Sequence, residues 1–322
     1  MELIIKPTGR CNFNCTFCSA SDINIKHPED RKVPKQIKEL ITKLNPNGLI
    51  VTGGEPLMVS PDYYYELHDI SKSFISITSN LKDFYLHPDK WSKLFKEDWF
   101  GVTTSFHYGN TRRWDQSTVY NEDMFVEIFN MFKEHTGKQI GSFISVINDE
   151  NENTAMNNVY LAKRLGCMVR LNNAIGVGKE SKTYQRYKIF KFYIDIIDQG
   201  LEDYECNCHD RTKGKCPMNT NMLCESTIRC CYVDNSDKLH IGRCDERLSA
   251  GDELPNEKAL DNTINQMIID SNDFIKPECS YCELFRICNA CTTNRIEAKK
   301  DPNYCDEMKK LEQDIIRTGW LK

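Results

Sequence analysis

Short β-branched runs alternate with longer amphipathic stretches along the first half of the chain. Strand character concentrates at 3–6, 49–52, 74–78, 102–106, 143–147 and 168–171, where branched and aromatic side chains suit a pleated, largely buried surface. Between these runs, Ile37, Leu40, Ile41 and Leu44, and again Phe125, Ile128, Phe129 and Phe132, fall at the i, i+3, i+4, i+7 spacing that lines one helix face. Such stripes predict core-facing helices. Six strand–helix units at regular spacing predict an α/β fold: a parallel sheet closed or partly closed into a barrel, with helices outside. One more helix is expected over 182–198, where Tyr187, Phe190, Ile194 and Ile197 share a face.

Beyond about residue 200 the pattern changes. The stretch from Cys206 to Cys305 holds twelve of the 16 cysteines, with weak periodicity and many Asn, Asp and Lys residues. Such a segment cannot fill a large apolar core, and bound metal supplies folding free energy directly. Two domains are therefore expected, 1–200 and 201–322. No signal-peptide pattern precedes Cys11, and no apolar run is long enough to span a bilayer. Clustered thiols then point to metal sites in a reducing, cytoplasmic setting, with no membrane partner. The net charge of −5, with Lys and Arg scattered along the chain, argues against a nucleic-acid substrate.

The run Cys11-Asn12-Phe13-Asn14-Cys15-Thr16-Phe17-Cys18 places three thiols on one loop directly after the first strand. Cubane clusters take four cysteines, so three leave one iron open to an exogenous ligand. The C-x3-C-x2-C spacing resembles the signature of the radical S-adenosylmethionine (SAM) enzymes. Thr52-Gly53-Gly54-Glu55-Pro56-Leu57, after the second strand, matches the G-G-E-P run of that family. The resemblance implies a partial (βα)6 barrel with a [4Fe-4S] cluster on Cys11, Cys15 and Cys18. It also implies that the SAM amino group is held by Gly53, Gly54 and Glu55, with Pro56 fixing the turn. Thr78-Ser79-Asn80 is similar to the family's T-N-G run, with Leu81 where glycine is usual. Ser105-Phe106-His107 is similar to its S-I-D-G run, with His107 in the acidic position. Ser79, Asn80 and Ser105 become expected contacts to the SAM ribose or carboxylate. Both principal motifs follow strands, where parallel barrels bind ligands. Gly176-Val177-Gly178-Lys179-Glu180 lacks the first glycine and the Ser or Thr of a phosphate loop, so it flanks SAM or ends the barrel.

The tail spacing Cys279-x2-Cys282-x5-Cys288-x2-Cys291-x13-Cys305, preceded by Cys224-x5-Cys230-x13-Cys244, resembles the SPASM extension of peptide-modifying and sulfatase-maturing radical SAM enzymes. A hairpin turn is expected at 234–237. The resemblance implies two auxiliary [4Fe-4S] clusters, one on Cys224, Cys230, Cys244 and Cys291 and the other on Cys279, Cys282, Cys288 and Cys305, for three clusters in all. Cys216 or Cys231 is an alternative ligand to Cys224 or Cys230, and a zinc ribbon on Cys279, Cys282, Cys288 and Cys291 is the competing reading. Cys167 reads as a small buried residue, and Cys206, Cys208, His209 and Cys216 as a flexible thiol-rich loop or an extra metal site.

From the resemblance follows an enzyme that reductively cleaves SAM and abstracts hydrogen from a substrate carbon, most simply oxidising or cross-linking a peptide side chain. Asp245, next to Cys244, is the expected base. Electrons would come from a reductant such as flavodoxin or ferredoxin. The chain begins at its first strand, so a separate recognition protein or direct peptide binding is expected. Oxidation, isomerisation or epimerisation of a small molecule or a nucleic-acid-attached group is the alternative reaction, with Arg112 or Arg113 as an anion contact unless both are solvated surface groups. A non-catalytic iron-sulfur electron carrier is the alternative of another class.

Overall fold

A computed structural model describes residues 2–18, 20–21, 23–28, 32–174, 179, 182–212, 227–242, 252–253, 281–284 and 301–319. The six expected strands are β1 (Glu2–Ile5), β2 (Gly48–Val51), β3 (Phe74–Thr78), β4 (Phe100–Ser105), β5 (Ser142–Ile147) and β6 (Met168–Asn173). Each pairs in parallel with the next, in the order β6-β5-β4-β3-β2-β1. Sequential order in a parallel sheet requires a crossover after every strand, and these carry α1 (Lys35–Leu44), α2 (Pro61–Ser71), α3 (Lys82–Leu86), α4 (Pro88–Lys96), α5 (Glu122–Thr136) and α6 (Ala155–Leu165). The fold class is thus the α/β fold with a parallel sheet that the pattern predicts. Strand β4 starts two residues earlier than 102–106 and ends one earlier, because Phe100 already pairs with Ile75.

Both hydrophobic stripes are buried: Ile37, Leu40 and Ile41 on α1, and Phe125, Ile128, Phe129 and Phe132 on α5. Aromatic rings dominate the core, with Phe106 stacked on Phe125 at 4.6 Å and Tyr64 edge-on to Phe100 at 5.3 Å between centroids. Asn121 caps α5 by accepting from the Met124 N–H, and Gly137 ends it at φ 71°.

The sheet does not stop at residue 200. Strand β7 (Thr227–Val233) adds in parallel to β1, and β8 (Leu239–Gly242) and β9 (Asp252–Glu253) continue it antiparallel. β1 is therefore an interior strand, with Leu3 and Ile5 fully buried. The expected hairpin turn joins β7 to β8. Asp234 Oδ1 accepts from the Ser236 and Lys238 N–H groups, His240 Nε2 lies 2.8 Å from Asp234 Oδ2, and Asp237 takes φ 63°. At the other edge, Glu205 bridges to Val169 beside β6 and accepts from the Leu171 N–H at 2.9 Å. Among the described residues no helix is long and apolar enough to cross a membrane.

Helix α7 spans Arg186–Asp198, and the next, α8, spans Cys206–Thr212. Here the flexible thiol-rich loop expected around Cys206 and Cys208 is corrected: both cysteines are buried at the start of α8, because Glu205 seats that turn by accepting the Cys208 N–H. Cys167 is buried, as expected, immediately before β6. Cys231 is fully buried in β7 and belongs to the apolar core. Helices α9 (Tyr304–Lys310) and α10 (Glu312–Arg317) follow, tied to α7 by a two-bond pairing of Arg317 with Asp198 at 2.7 Å.

Candidate active site

The carboxyl ends of β1, β2, β3 and β4 bring four loops together. Glu55 lies immediately beyond β2 and is 2 % exposed. Its Oε1 accepts from Ser79 Oγ at 2.6 Å and from the Leu57 N–H at 2.9 Å, while Oε2 accepts from the Asn80 N–H at 2.8 Å. Oε1 thereby uses both lone-pair directions, and Oε2 keeps one for a further donor. Burial pushes the carboxyl up to about 7, against the lowering effect of these three bonds. A cation or amine donor placed at Oε2 would favour the carboxylate.

Asn80 passes the network to the cysteine loop. Its amide donates to Asn12 Oδ1 at 2.9 Å and lies 3.8 Å from Cys11 Sγ, and its Oδ1 accepts the Lys82 N–H. The peptide N–H groups of Gly54 and Glu55 donate to the Thr8 and Arg10 carbonyls at 2.9 and 2.8 Å. Gly53 takes φ 135°, a region that favours glycine. Leu81 takes φ 60° at the position where the resembled family has glycine, fully buried in the core. Core packing on its side chain offsets a backbone cost of roughly 1–2 kcal/mol.

From the β4 side, the Asn14 and Thr16 N–H groups donate to the Arg113 and Thr111 carbonyls at 3.0 and 2.9 Å. Arg112, read from sequence as an anion contact or a solvated surface arginine, is buried at 6 % exposure, which overturns the solvated reading. It donates to Ser105 Oγ at 2.9 Å, and its guanidinium carbon lies 5.0 Å from the Phe17 ring centroid. Its Nε has no partner among the described residues. Desolvation lowers its pKa, and the facing Cys15, Cys11 and Cys18 oppose that shift. His107 is fully buried, packs its ring at a 55° tilt against Phe17 with centroids 4.8 Å apart, and shares a 2.8 Å hydrogen bond between Nε2 and Thr111 Oγ1. Burial and the neighbouring Arg112 keep this imidazole neutral, which excludes it as a cationic contact at neutral pH.

Cys11 is exposed, and Cys15 and Cys18 are partly so. Although the Cys11 residue reaches the surface, the atoms crowded around its sulfur, and then the charge of Glu55, raise the thiol to about 12. Among the described residues no three His, Cys, Asp or Glu side chains converge on one metal ion. A cubane makes a different demand, one thiolate per iron, and three cysteines facing a buried cation suit its negative charge. Lys179 reaches the same loop, donating from Nζ to Asn14 Oδ1 at 2.9 Å and from its N–H to the Cys18 carbonyl at 3.0 Å.

Lys82, a residue the motifs do not point to, ties three loops: Nζ donates to the Trp114 carbonyl at 2.6 Å and the Asn12 carbonyl at 3.2 Å, and lies over the Trp114 ring. Its position just past Thr78-Ser79-Asn80 was the one signal available. Asp245, Cys224, Cys244, Cys279, Cys288 and Cys291 lie outside the described residues, as do Cys216 and the stretch 175–178. Cys230 is described only as part of β7, Cys282 is partly buried, and Cys305 is exposed on α9.

Residues 5–159 match the model of the Radical SAM superfamily. An uncharacterized protein of Methanocaldococcus jannaschii is 39% identical over 57 residues, 18% of this chain. The match spans only 20% of that relative's length. In fold the chain is similar to native anSMEcpe with bound AdoMet and Cp18Cys peptide, at a TM-score of 0.67 and 18% identity over 100% of this chain and 99% of that one. It is also similar to Streptococcus suis SuiB bound to S-adenosylmethionine, at a TM-score of 0.55 and 14% identity over 91% and 73% of the two chains. The cysteine loop after β1 and the buried Glu55 after β2, joined through Asn80 and Asn12, both lie within the residues that match the Radical SAM superfamily.

Proposed function

We propose that the chain is an enzyme that reductively cleaves SAM and abstracts hydrogen from a carbon of a peptide, oxidising or cross-linking a side chain. The observation that carries this reading is the bonded path from Glu55 through Asn80 to Asn12, which couples the G-G-E-P turn to the cysteine loop. Cys11, Cys15 and Cys18 would hold a [4Fe-4S] cluster, which when bound supplies the electron that cleaves SAM. Glu55 would accept from the SAM amino group at the free direction of Oε2. Ser79 and Asn80 hold that carboxylate and, with Ser105, form the polar wall for the rest of SAM. Arg112 sets a fixed positive charge against the thiolates. With SAM bound at the carboxyl ends of the strands, the loops after β1, β2, β3 and β4 would orient the target carbon there and exclude water.

A peptide substrate is supported by the fold likeness to a protein solved with a bound Cp18Cys peptide. In the tail, Cys224, Cys230, Cys244 and Cys291 would form one auxiliary cluster and Cys279, Cys282, Cys288 and Cys305 the second. Cys230 is preferred to Cys231, which is packed in the core. Asp245 would take the substrate proton, while flavodoxin or ferredoxin would supply electrons and a separate protein would present the peptide.

Anaerobically reconstituted protein should contain about twelve iron per chain and release 5'-deoxyadenosine from SAM with dithionite. Cys15→Ala should abolish the release while the auxiliary iron stays. Full iron loading with no 5'-deoxyadenosine sinks the proposal, and about four iron with zinc restores the ribbon reading of the tail. Asp245→Asn should slow peptide turnover and leave SAM cleavage intact.

A further inference from the structure

The parallel strands bury alternate residues against the helices, so that Leu3 and Ile5 of β1, Val51 of β2 and Ile77 of β3 all belong to the core cluster. Residues between these face the other side of the sheet, and Lys6 falls there. The Lys6 N–H donates to the Cys231 carbonyl at 2.8 Å and the Thr52 N–H to the Ile5 carbonyl at 3.0 Å, so pairing continues one residue past β1 and β2. Ile5 pairs with Val51, Val51 with Ile77, and Thr78 with Thr103. Lys6, Thr52, Thr78 and Thr103 therefore form one row over four strands at their carboxyl ends, with the threonines partly exposed. Lys6 is 6 % exposed, and its ammonium makes no hydrogen bond or ion pair among the described residues. Its stem packs on the G-G-E-P turn, where a Cβ built on Gly53 would lie 3.4 Å from the Lys6 Cβ. On the same face of β1 to β6, from Ile4 to the carboxyl ends, there is no Asp or Glu, and Arg170 is engaged by Asn207 Oδ1 at 3.2 Å.

A cation buried without a counter-charge is costly, and an anion brought to it recovers much of that cost. One unneutralised ammonium with the Thr52 hydroxyl beside it is a donor set for a single negative charge, which a carboxylate carries and a phosphate exceeds. Both the thiol loop after β1 and the Glu55 turn after β2 start from this row, so a group held on it lies beside the proposed SAM site. We infer that Lys6, aided by Thr52, anchors a carboxylate of the substrate, so that the peptide taken here presents an acidic side chain or a free C-terminus close to the carbon that loses hydrogen. That the carboxylate belongs to a peptide rests on the proposed function, whereas the carboxylate site rests on the buried ammonium and its row.

Iron-loaded, full-length protein with SAM is equilibrated with N-acetylated random-peptide pools that differ in one feature and otherwise lack Asp and Glu. The first has a central Asp or Glu and an amidated C-terminus, the second a central Asn or Gln and an amidated C-terminus, and the third a central Ala and a free C-terminus. Peptides retained on ultrafiltration are quantified by mass spectrometry. Wild type should retain a carboxylate pool about tenfold over the amide pool, and whether the first or the third is retained tells the side-chain source from the terminal one. Lys6→Met should remove the preference, Lys6→Arg should keep most of it, and Thr52→Val should lower it severalfold. Lys133→Met, at an exposed position on α5, should keep it in full. No carboxylate preference in wild type, or a preference that survives in Lys6→Met, overturns the inference. So does a loss of SAM affinity in Lys6→Met equal to its loss of peptide retention, which would assign the ammonium to SAM. Should Lys6→Met fail to load iron, an undiminished preference in Thr52→Val overturns it instead. Wild type that retains a carboxylate pool yet releases no 5'-deoxyadenosine with dithionite counts against the proposed function only.

Discussion

A Cβ added at Gly54 would lie 2.3 Å from the Arg10 carbonyl oxygen and 2.6 Å from the Gly9 carbonyl carbon. Both neighbours are backbone and cannot swing aside, so Gly54→Ala must push the cysteine loop away from the turn after β2. We expect a cost of roughly 1–3 kcal/mol and a large drop in iron incorporated on reconstitution, read by iron analysis and a thermal melt. At Glu55 the argument is protonic. Its carboxyl is raised to about 7 by burial, so below that pH it is protonated and presents no charge to an amino group. SAM affinity should rise with pH and level off above 7, changing roughly tenfold per unit below it. Equilibrium SAM binding between pH 5.5 and 8.5, on the order of three units, should show this slope in wild type and a flat, weaker profile in Glu55→Gln. Arg112 contributes a fixed charge. Arg112→Met should shift the midpoint potential of the cluster on the Cys11 loop downward by roughly tens of millivolts, measured without SAM. An unmoved potential with weakened SAM binding would instead make Arg112 a ligand of the SAM carboxylate.

Among the elements, the edge of β6 depends on a side chain. Glu205 is fully buried and raised to about 7, with desolvation outweighing the bonds from the Leu171 and Cys208 N–H groups. Its folded pKa lies above its unfolded one. The folded state therefore binds the extra proton between about 4.5 and about 7, and stability falls as pH rises through that window. Glu55 titrates in the same window and adds to the slope. Urea unfolding of the metal-free protein at a series of pH values should show stability declining across it, by on the order of 3 kcal/mol per group at most, with a shallower decline in Glu205→Gln. The same contrast shows how far the elements could be read in advance. Amphipathic stripes located α1 and α5, because a helix that buries one face advertises it in its spacing. Helix α8 gave no such sign: seven residues, three of them Cys, Asn and Cys, are held by Glu205 from outside the helix.

For the molecule as a whole, β1 lies between β2 and β7, so residues on both sides of position 200 build one sheet. A chain cut to 1–200 would expose the edge of a strand whose Leu3 and Ile5 are fully buried. We expect it to aggregate or to melt well below the full chain, checked by size-exclusion chromatography and calorimetry. A soluble, cooperatively folding 1–200 fragment would make residue 200 a true domain border.

Sequence by itself determined the resemblance of the cysteine loop and the alternation of strands with helices, because both are written in local terms. Thiol spacing on one loop, a Gly-Gly turn and the periodicity of apolar residues need no distant partner to be read. Only the tertiary structure decided that Arg112 and His107 are buried against Phe17, that Lys82 binds three loops, that Cys231 belongs to the core, and that β7 completes the sheet beside β1. Each of these depends on desolvation or pairing between residues far apart in the chain, and a linear pattern carries neither.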